Sequence, residues 1–275
     1  MKWITLLLAL CLLGGPARAA DTAFEVRPVA YKNLVARLYL PKAAGKVPVV
    51  IAFGGSDGGF AGGDGNGELL APHGIAVLSV AYFKGAGLPP TLDQIALEYF
   101  ISAIDYVAAQ PGLDTARIGL VSGSRGSEAA LLVASLDARI KSVVVTTPSS
   151  VAWQGMTTNQ SAWTWKGQDV AALAMGLDAK ANKVARFEAA LENADGVRRA
   201  QFAIEKINGP ILFVSARNDQ IWPSWKMANA MTVYLKEHQF QHSVTHSSYA
   251  TGHGFSKESA PEIKRSIVEQ FLRTL

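Results

Sequence analysis

Five short runs of Val, Ile and Leu, at 47–53, 76–81, 118–121, 141–146 and 211–215, are apolar almost without a break. Strands buried on both faces read this way. Between them, apolar residues recur at three- and four-residue spacing. One such stretch, 92–109, predicts a helix stopped by Pro111-Gly112, and another, 127–136, predicts a helix starting directly after Gly126. Strands alternating with helices predict an α/β fold, a mostly parallel sheet with helices on both faces. Two alternating runs, 24–29 and 34–40, predict an antiparallel hairpin on the sheet edge. The stretch 244–249 reads as the last strand and 262–272 as a closing helix.

The rhythm breaks between about 148 and 207. No convincing strand stands there, a helix is predicted over 185–204, and Trp153, Trp163 and Trp165 fall within it. An insertion of about sixty residues is too long for a plain connection. It predicts a cap over the C-terminal edge of the sheet, where open α/β sheets bind ligands.

The first nineteen residues predict an export signal, with Lys2 as the positive start, an apolar run from Ile4 to Leu13 and the small-x-small site Ala17-Arg18-Ala19. That run is too short to span a bilayer. Cleavage before Ala20 leaves one catalytic domain, 20–275, with no further membrane span expected. The style of the signal favours a Gram-negative periplasm over full secretion. The single cysteine, Cys11, goes with the signal, so no disulfide, thiolate nucleophile or cysteine metal site is expected in the remainder. Loss of Lys2 and Arg18 lowers the formal charge from +4 to +2, with the basic residues scattered. Nucleic acid is therefore not an expected partner.

Ser122-Gly123-Ser124-Arg125-Gly126 stands between a predicted strand and a predicted helix. A nucleophile on a tight strand-to-helix turn needs small residues two before and two after it, so that strand and helix can approach. Ser124 meets this with Ser122 and Gly126; Ser122 itself fails, because Leu120 would take the small position. A Gly/Ser-rich turn without catalysis is the alternative. A serine hydroxyl also needs a base. Of the five histidines, His253 in Thr251-Gly252-His253-Gly254-Phe255 follows the last predicted strand, where a base belongs. His238, His242 and His246 are spaced for one helix face and metal ligation, but Ser243 onward is β-prone and breaks that face, so no metal is expected. Asp219 follows the strand 211–215 and is positioned to orient the histidine, with capping of a helix near Pro223 as its other reading. The order Ser, Asp, His is that of an α/β-hydrolase.

Negative charge developing on a substrate oxygen calls for backbone donors. The N–H of Arg125 is one. The other comes from Gly54-Gly55-Ser56-Asp57-Gly58-Gly59, with Ser56 first and Gly55 next. A phosphate-cradling role for this loop fails, since no Gly-Lys-Ser/Thr follows.

With these residues placed, the chain resembles the C-terminal domain of the bile acid-CoA:amino acid N-acyltransferase and acyl-CoA thioester hydrolase family of the α/β-hydrolases. The resemblance rests on Gly54 to Gly59, Leu97-Glu98-Tyr99-Phe100, Arg117-Ile118-Gly119-Leu120, Ser124-Arg125-Gly126-Ser127-Glu128, Pro148-Ser149-Ser150, Ser161-Ala162-Trp163-Thr164-Trp165 and Asn218-Asp219-Gln220-Ile221-Trp222-Pro223-Ser224. It implies Ser124, Asp219 and His253 as nucleophile, acid and base, and an acyl thioester or ester as small-molecule substrate, with no cofactor. Larger members of the family carry an immunoglobulin-like domain first, for which Ala20 to Lys46 is too short. Acyl-transferring members resemble cysteine enzymes, so Ser124 points to hydrolysis. Export conflicts with cytosolic acyl-CoA, which leaves the leaving group open. Trp153, Met156, Trp163, Trp165 and Trp222 are candidates to line a pocket for a medium or long acyl group, or else they simply pack. Rival functions are a dienelactone-hydrolase-like carboxylesterase for small esters and a non-catalytic binding protein on the same scaffold.

Overall fold

The computed structural model describes residues 23–175 and 183–275. The predicted export signal, 1–19, lies outside the described residues. Strands β1 (Phe24–Pro28) and β2 (Val35–Pro41) form the expected antiparallel hairpin, with Phe24 opposite Pro41. Strand β3 (Val47–Ala52) is followed by helix α1 (Ala61–Leu70), then by β4 (Ala76–Ala81) and the two-residue β5 (Ile95–Ala96). Helix α2 (Glu98–Ala108), strand β6 (Leu113–Gly123), helix α3 (Arg125–Leu136) and strand β7 (Ile140–Thr146) continue the alternation. After β8 (Trp163–Trp165), β9 (Gln168–Asp169), α4 (Lys183–Leu191) and α5 (Ala194–Ala200) come β10 (Ile211–Ala216), α6 (Ser224–Glu237), β11 (Val244–Tyr249) and α7 (Ala260–Thr274).

The main sheet runs β1-β2-β4-β3-β6-β7-β10-β11 and is parallel from β4 to β11, with the hairpin antiparallel at one edge. Alternate residues of β3 feed two cores. Val49 and Ile51 pack with Ile104 of α2, Val133 of α3 and Met231 of α6, while Val50 and Ala52 pack with Leu70 of α1 and Ile267 and Phe271 of α7. Burial on both faces is what made the strands read as unbroken apolar runs. Among the described residues, no helix is long and apolar enough to cross a membrane.

Four features differ from the pattern-based expectation. The helix expected over 92–109 begins only at Glu98, because the N–H groups of Ile95 and Leu97 donate to Ala162 and Thr164 in a small sheet, β5-β8-β9. That sheet also puts short strands where none was expected, at Trp163–Trp165 and Gln168–Asp169. The helix expected over 185–204 is broken into α4 and α5 because the Asn193 side chain accepts from Gly196 N–H (3.0 Å) and starts a new helix. Helix α1, Ala-Gly-Gly-Asp-Gly-Asn-Gly-Glu-Leu-Leu, has too many glycines to read as one. Its glycines serve close packing: a Cβ on Gly63 would stand 2.8 Å from the Ala52 carbonyl oxygen.

Candidate active site

The C-terminal ends of the parallel strands β6, β10 and β11 each deliver one predicted residue. Ser124 follows β6 and immediately precedes α3, with φ 52° and ψ −133°. Positive φ in a non-glycine residue is strained, and it persists only where the surroundings impose it. Here the Ser124 N–H donates to Thr146 O (2.9 Å) and the Ser127 hydroxyl donates to Ser124 O (2.6 Å). Thr147 (φ 39°) and Phe255 (φ 58°) share this feature and line the same cavity as Ser124.

The glycines and small residues of the turn have specific neighbours. Any Cβ on Gly126 would collide with the Ser122 hydroxyl and the Gly54 carbonyl. Ser122 is more than a small residue, because its hydroxyl donates to Phe53 O (2.9 Å) and ties β6 to the end of β3. Gly55 lies against the turn so closely that its Cβ would stand 2.9 Å from the Cβ of Ser124.

His253 Nε2 is 2.8 Å from Ser124 Oγ, and His253 Nδ1 is 2.9 Å from both carboxylate oxygens of Asp219. The Asp219 side chain is 2% exposed. Its Oδ1 also accepts from Ile221 N–H (2.9 Å) and Trp222 N–H (3.3 Å), so it holds the turn before α6 as well as the histidine. Burial alone would raise its pKa, but hydrogen bonds from His253, Ser224 and Ile221 outweigh that and hold the carboxyl below its usual range. An ionised Asp219 fixes the proton on Nδ1, which leaves Nε2 free to accept from the Ser124 hydroxyl. The backbone N–H of His253 is itself held by Gln220 Oε1 (3.1 Å).

Ser56 and Arg125 both border the cavity beside Ser124. Arg125 is the first residue of α3, so its N–H has no partner within the helix. The Gly54-to-Ser56 loop is pinned from below by Tyr82, a buried phenol 3.0 Å from Gly54 O and 3.2 Å from Gly55 O. Sequence reasoning missed Tyr82; the only trace was its place at the end of the 76–81 run. It also gave Glu128 no role. The Glu128 carboxylate is buried 2.6 Å from Arg125 Nε and accepts from Trp153 N–H (3.0 Å) and Trp163 Nε1 (2.9 Å). Burial pushes its pKa up to about 7, against the pull of Arg125.

Two cavities meet at Ser124, one of about 950 Å³ and one of about 180 Å³. Of the five candidate pocket residues, Met156 and Trp222 line the smaller cavity. Trp153, Trp163 and Trp165 line neither. Trp153 and Trp163 are fully buried, with their indole N–H groups spent on Ser149 Oγ (2.8 Å) and Glu128. Trp165 is half-buried in β8, the middle strand of the small sheet, with Lys166 over its ring. The fully buried Trp153 and Trp163 have no face left for a ligand. His238, His242 and His246 do not share a helix face: His238 ends α6, His242 lies in the next loop, and His246 in β11 bonds Ser215 Oγ (2.7 Å).

The family described as BAAT / Acyl-CoA thioester hydrolase C terminal matches residues 95–272. The chain belongs to this family. It is 29% identical to human acyl-coenzyme A thioesterase 1 over 213 residues, covering 77% of this chain and 49% of that protein. It is 30% identical to mouse acyl-coenzyme A amino acid N-acyltransferase 1 over 209 residues, covering 73% of this chain and 47% of the relative. The chain thus spans about half the length of the curated relatives it matches. Among solved structures, a Mycobacterium tuberculosis puromycin-hydrolyzing peptidase superposes with a TM-score of 0.65 at 13% identity, over 92% of this chain and 39% of that one. The α/β-hydrolase fold of this BAAT-family chain follows from that likeness and from the sheet itself.

Proposed function

We propose that the protein is a serine hydrolase that cleaves acyl esters or thioesters by way of an acyl-enzyme on Ser124. The observation that carries this reading is the unbroken chain of contacts from Ser124 Oγ through His253 to Asp219. Ser124 Oγ attacks the carbonyl carbon as its proton passes to His253 Nε2. The backbone N–H groups of Ser56, with Gly55 in reserve, and of Arg125 receive the oxyanion. Collapse breaks the carbonyl bond to oxygen or sulfur, and Nε2 returns the proton to the leaving group. Water then repeats the sequence and frees the acid.

Relatives named as acyl-CoA thioesterases support thioester cleavage, and one named as an N-acyltransferase raises transfer to an amine as the alternative. A serine at the attacking position favours water as acceptor. The leader pattern around Lys2 and Ile4 to Leu13 supports export, most simply to a periplasm, and therefore a leaving group other than cytosolic coenzyme A. A fluorophosphonate probe, followed by a panel of esters, thioesters and amides, tests the assignment. Covalent labelling and turnover should both vanish in Ser124→Ala, and turnover that survives the substitution overturns it.

A further inference from the structure

The two cavities that meet at Ser124 differ in size, lining and relation to His253, and this difference assigns the two halves of the substrate. We infer that the substrate joins a short acyl group, of about six carbons or fewer, to a bulky leaving group, with the acyl part in the smaller cavity. This rests on the hydrolase reading above.

The orientation follows from proton transfer. The leaving atom must lie within reach of His253 Nε2 to take back its proton. His253, Gly254 and Phe255 line the cavity of about 950 Å³ and not the one of about 180 Å³. Arg125, whose N–H faces the oxyanion, borders only the smaller one. The carbonyl carbon sits on Ser124, where the cavities join, so the leaving group extends past His253 and the acyl chain extends the other way.

The size limit follows from volume. An apolar cavity of about 150 Å³ is filled by benzene, so one of about 180 Å³ takes a group of roughly six carbons. Met156, Phe187 and Trp222 give such a group apolar contact around Ser124, while Arg125, Lys183 and Arg186 also border the cavity. The larger cavity is wide and mixed in character, with Asn66, Glu68 and Lys264 beside Leu69 and Ile263. It offers a polar, bulky alcohol or thiol both apolar contact and charged partners.

The acyl limit is read from kcat/KM over nitrophenyl esters from acetyl to dodecanoyl. A maximum at or below hexanoyl is expected, with about a tenfold loss for each methylene beyond what the pocket holds. Met156→Ala, at the 45% exposed rim of the small cavity, should move the cutoff to longer chains. The leaving-group side is tested with Gly65→Leu, because a Cβ on Gly65 meets nothing within 4 Å and the side chain would enter the large cavity. It should lower kcat/KM for butanoyl-coenzyme A relative to the butanoyl thioester of N-acetylcysteamine by about tenfold, without moving the acyl optimum. Rates that climb steadily to dodecanoyl, or an acyl cutoff moved by Gly65→Leu and not by Met156→Ala, overturn the assignment. Loss of phosphonate labelling in the wild-type protein would instead sink the hydrolase reading beneath it.

Discussion

The Tyr82 hydroxyl stands 3.0 Å from the carbonyl oxygen of Gly54 and 3.2 Å from that of Gly55, two successive peptides of the loop against Ser124. A single phenolic proton shared between them turns both carbonyls inward, which fixes the peptide planes that aim the Ser56 N–H. Tyr82→Phe keeps the ring packing against Phe53 and Phe100 and removes only the donor. Donors at an oxyanion act through preorganisation, so kcat should fall by about tenfold or more while KM changes little. The Gly55 carbonyl keeps the Gly58 N–H (3.3 Å), so losing the phenol donor should cost only about 0.5–1.5 kcal/mol in urea unfolding. Equal losses in kcat and in stability-corrected active fraction would mean that the phenol serves folding alone.

Glu128 carries a pH signature of its own. A carboxyl whose pKa rises from 4.5 to about 7 on folding keeps its proton longer in the folded protein than in the unfolded chain. Between those values the folded state binds more protons, so the contribution of this group to stability is fullest below about pH 4.5 and is lost as pH rises toward 7. Urea midpoints measured across that interval should fall in the wild type, and the difference from Glu128→Gln should shrink as pH rises. Glu128→Gln stands in for the protonated carboxyl, so any deficit it has against the wild type should be greatest below about pH 4.5 and smallest near pH 7, where Glu128 begins to ionise. A constant difference between the two proteins across the interval would refute the shift.

Much of this was legible in the sequence, and the failures have physical causes. Ser124 and Asp219 follow apolar runs, the mark of strands buried on both faces, whereas His253 follows the half-buried edge strand β11, Val-Thr-His-Ser-Ser-Tyr, and was legible from its glycine-flanked place after it. The structure brings the three side chains into contact, Ser124 Oγ with His253 and His253 with Asp219. Helix α1 was invisible because Gly63 is required by approach to the Ala52 carbonyl, a constraint of packing that overrides helix propensity. Trp153 and Trp163 looked like ligand residues because sequence reveals size and apolarity and not where a side chain points. Glu128 stands 35 residues from Trp163, and although Ser149 is only 4 from Trp153, no periodic pattern announces that the two side chains meet.

The backbone at Ser124 makes a prediction that runs against ordinary substitution logic. Its φ of 52° with ψ of −133° should cost an L-residue about 1–3 kcal/mol, whereas glycine adopts it freely. Glycine also gains about 0.4–1 kcal/mol of unfolded-state freedom, which offsets part of that relief. Ser124→Gly should therefore be more stable than Ser124→Ala by about 1 kcal/mol, both being inactive. Thermal melts of the two variants decide it, and a less stable glycine variant would show that the turn is not strained.

Asp219→Asn separates orientation from charge at the histidine. The asparagine carbonyl can keep the hydrogen bonds from the Ile221 and Trp222 N–H groups, so the turn before α6 should hold and the fold with it. Its amide then presents N–H toward His253 Nδ1, which can accept only by giving up its own proton. The proton moves to Nε2, and Nε2, 2.8 Å from Ser124 Oγ, ceases to be a base. The expected result is a loss of about 10⁴ in kcat with little change in KM, and a modestly lower melting temperature near neutral pH. Because the wild-type carboxyl is held below its usual range, its contribution to stability is present above about pH 4 and lost as pH falls below it. Acid unfolding should consequently be steeper in the wild type than in Asp219→Asn. A variant that retains near-wild-type kcat would mean that Asp219 holds the turn and leaves the histidine to orient itself.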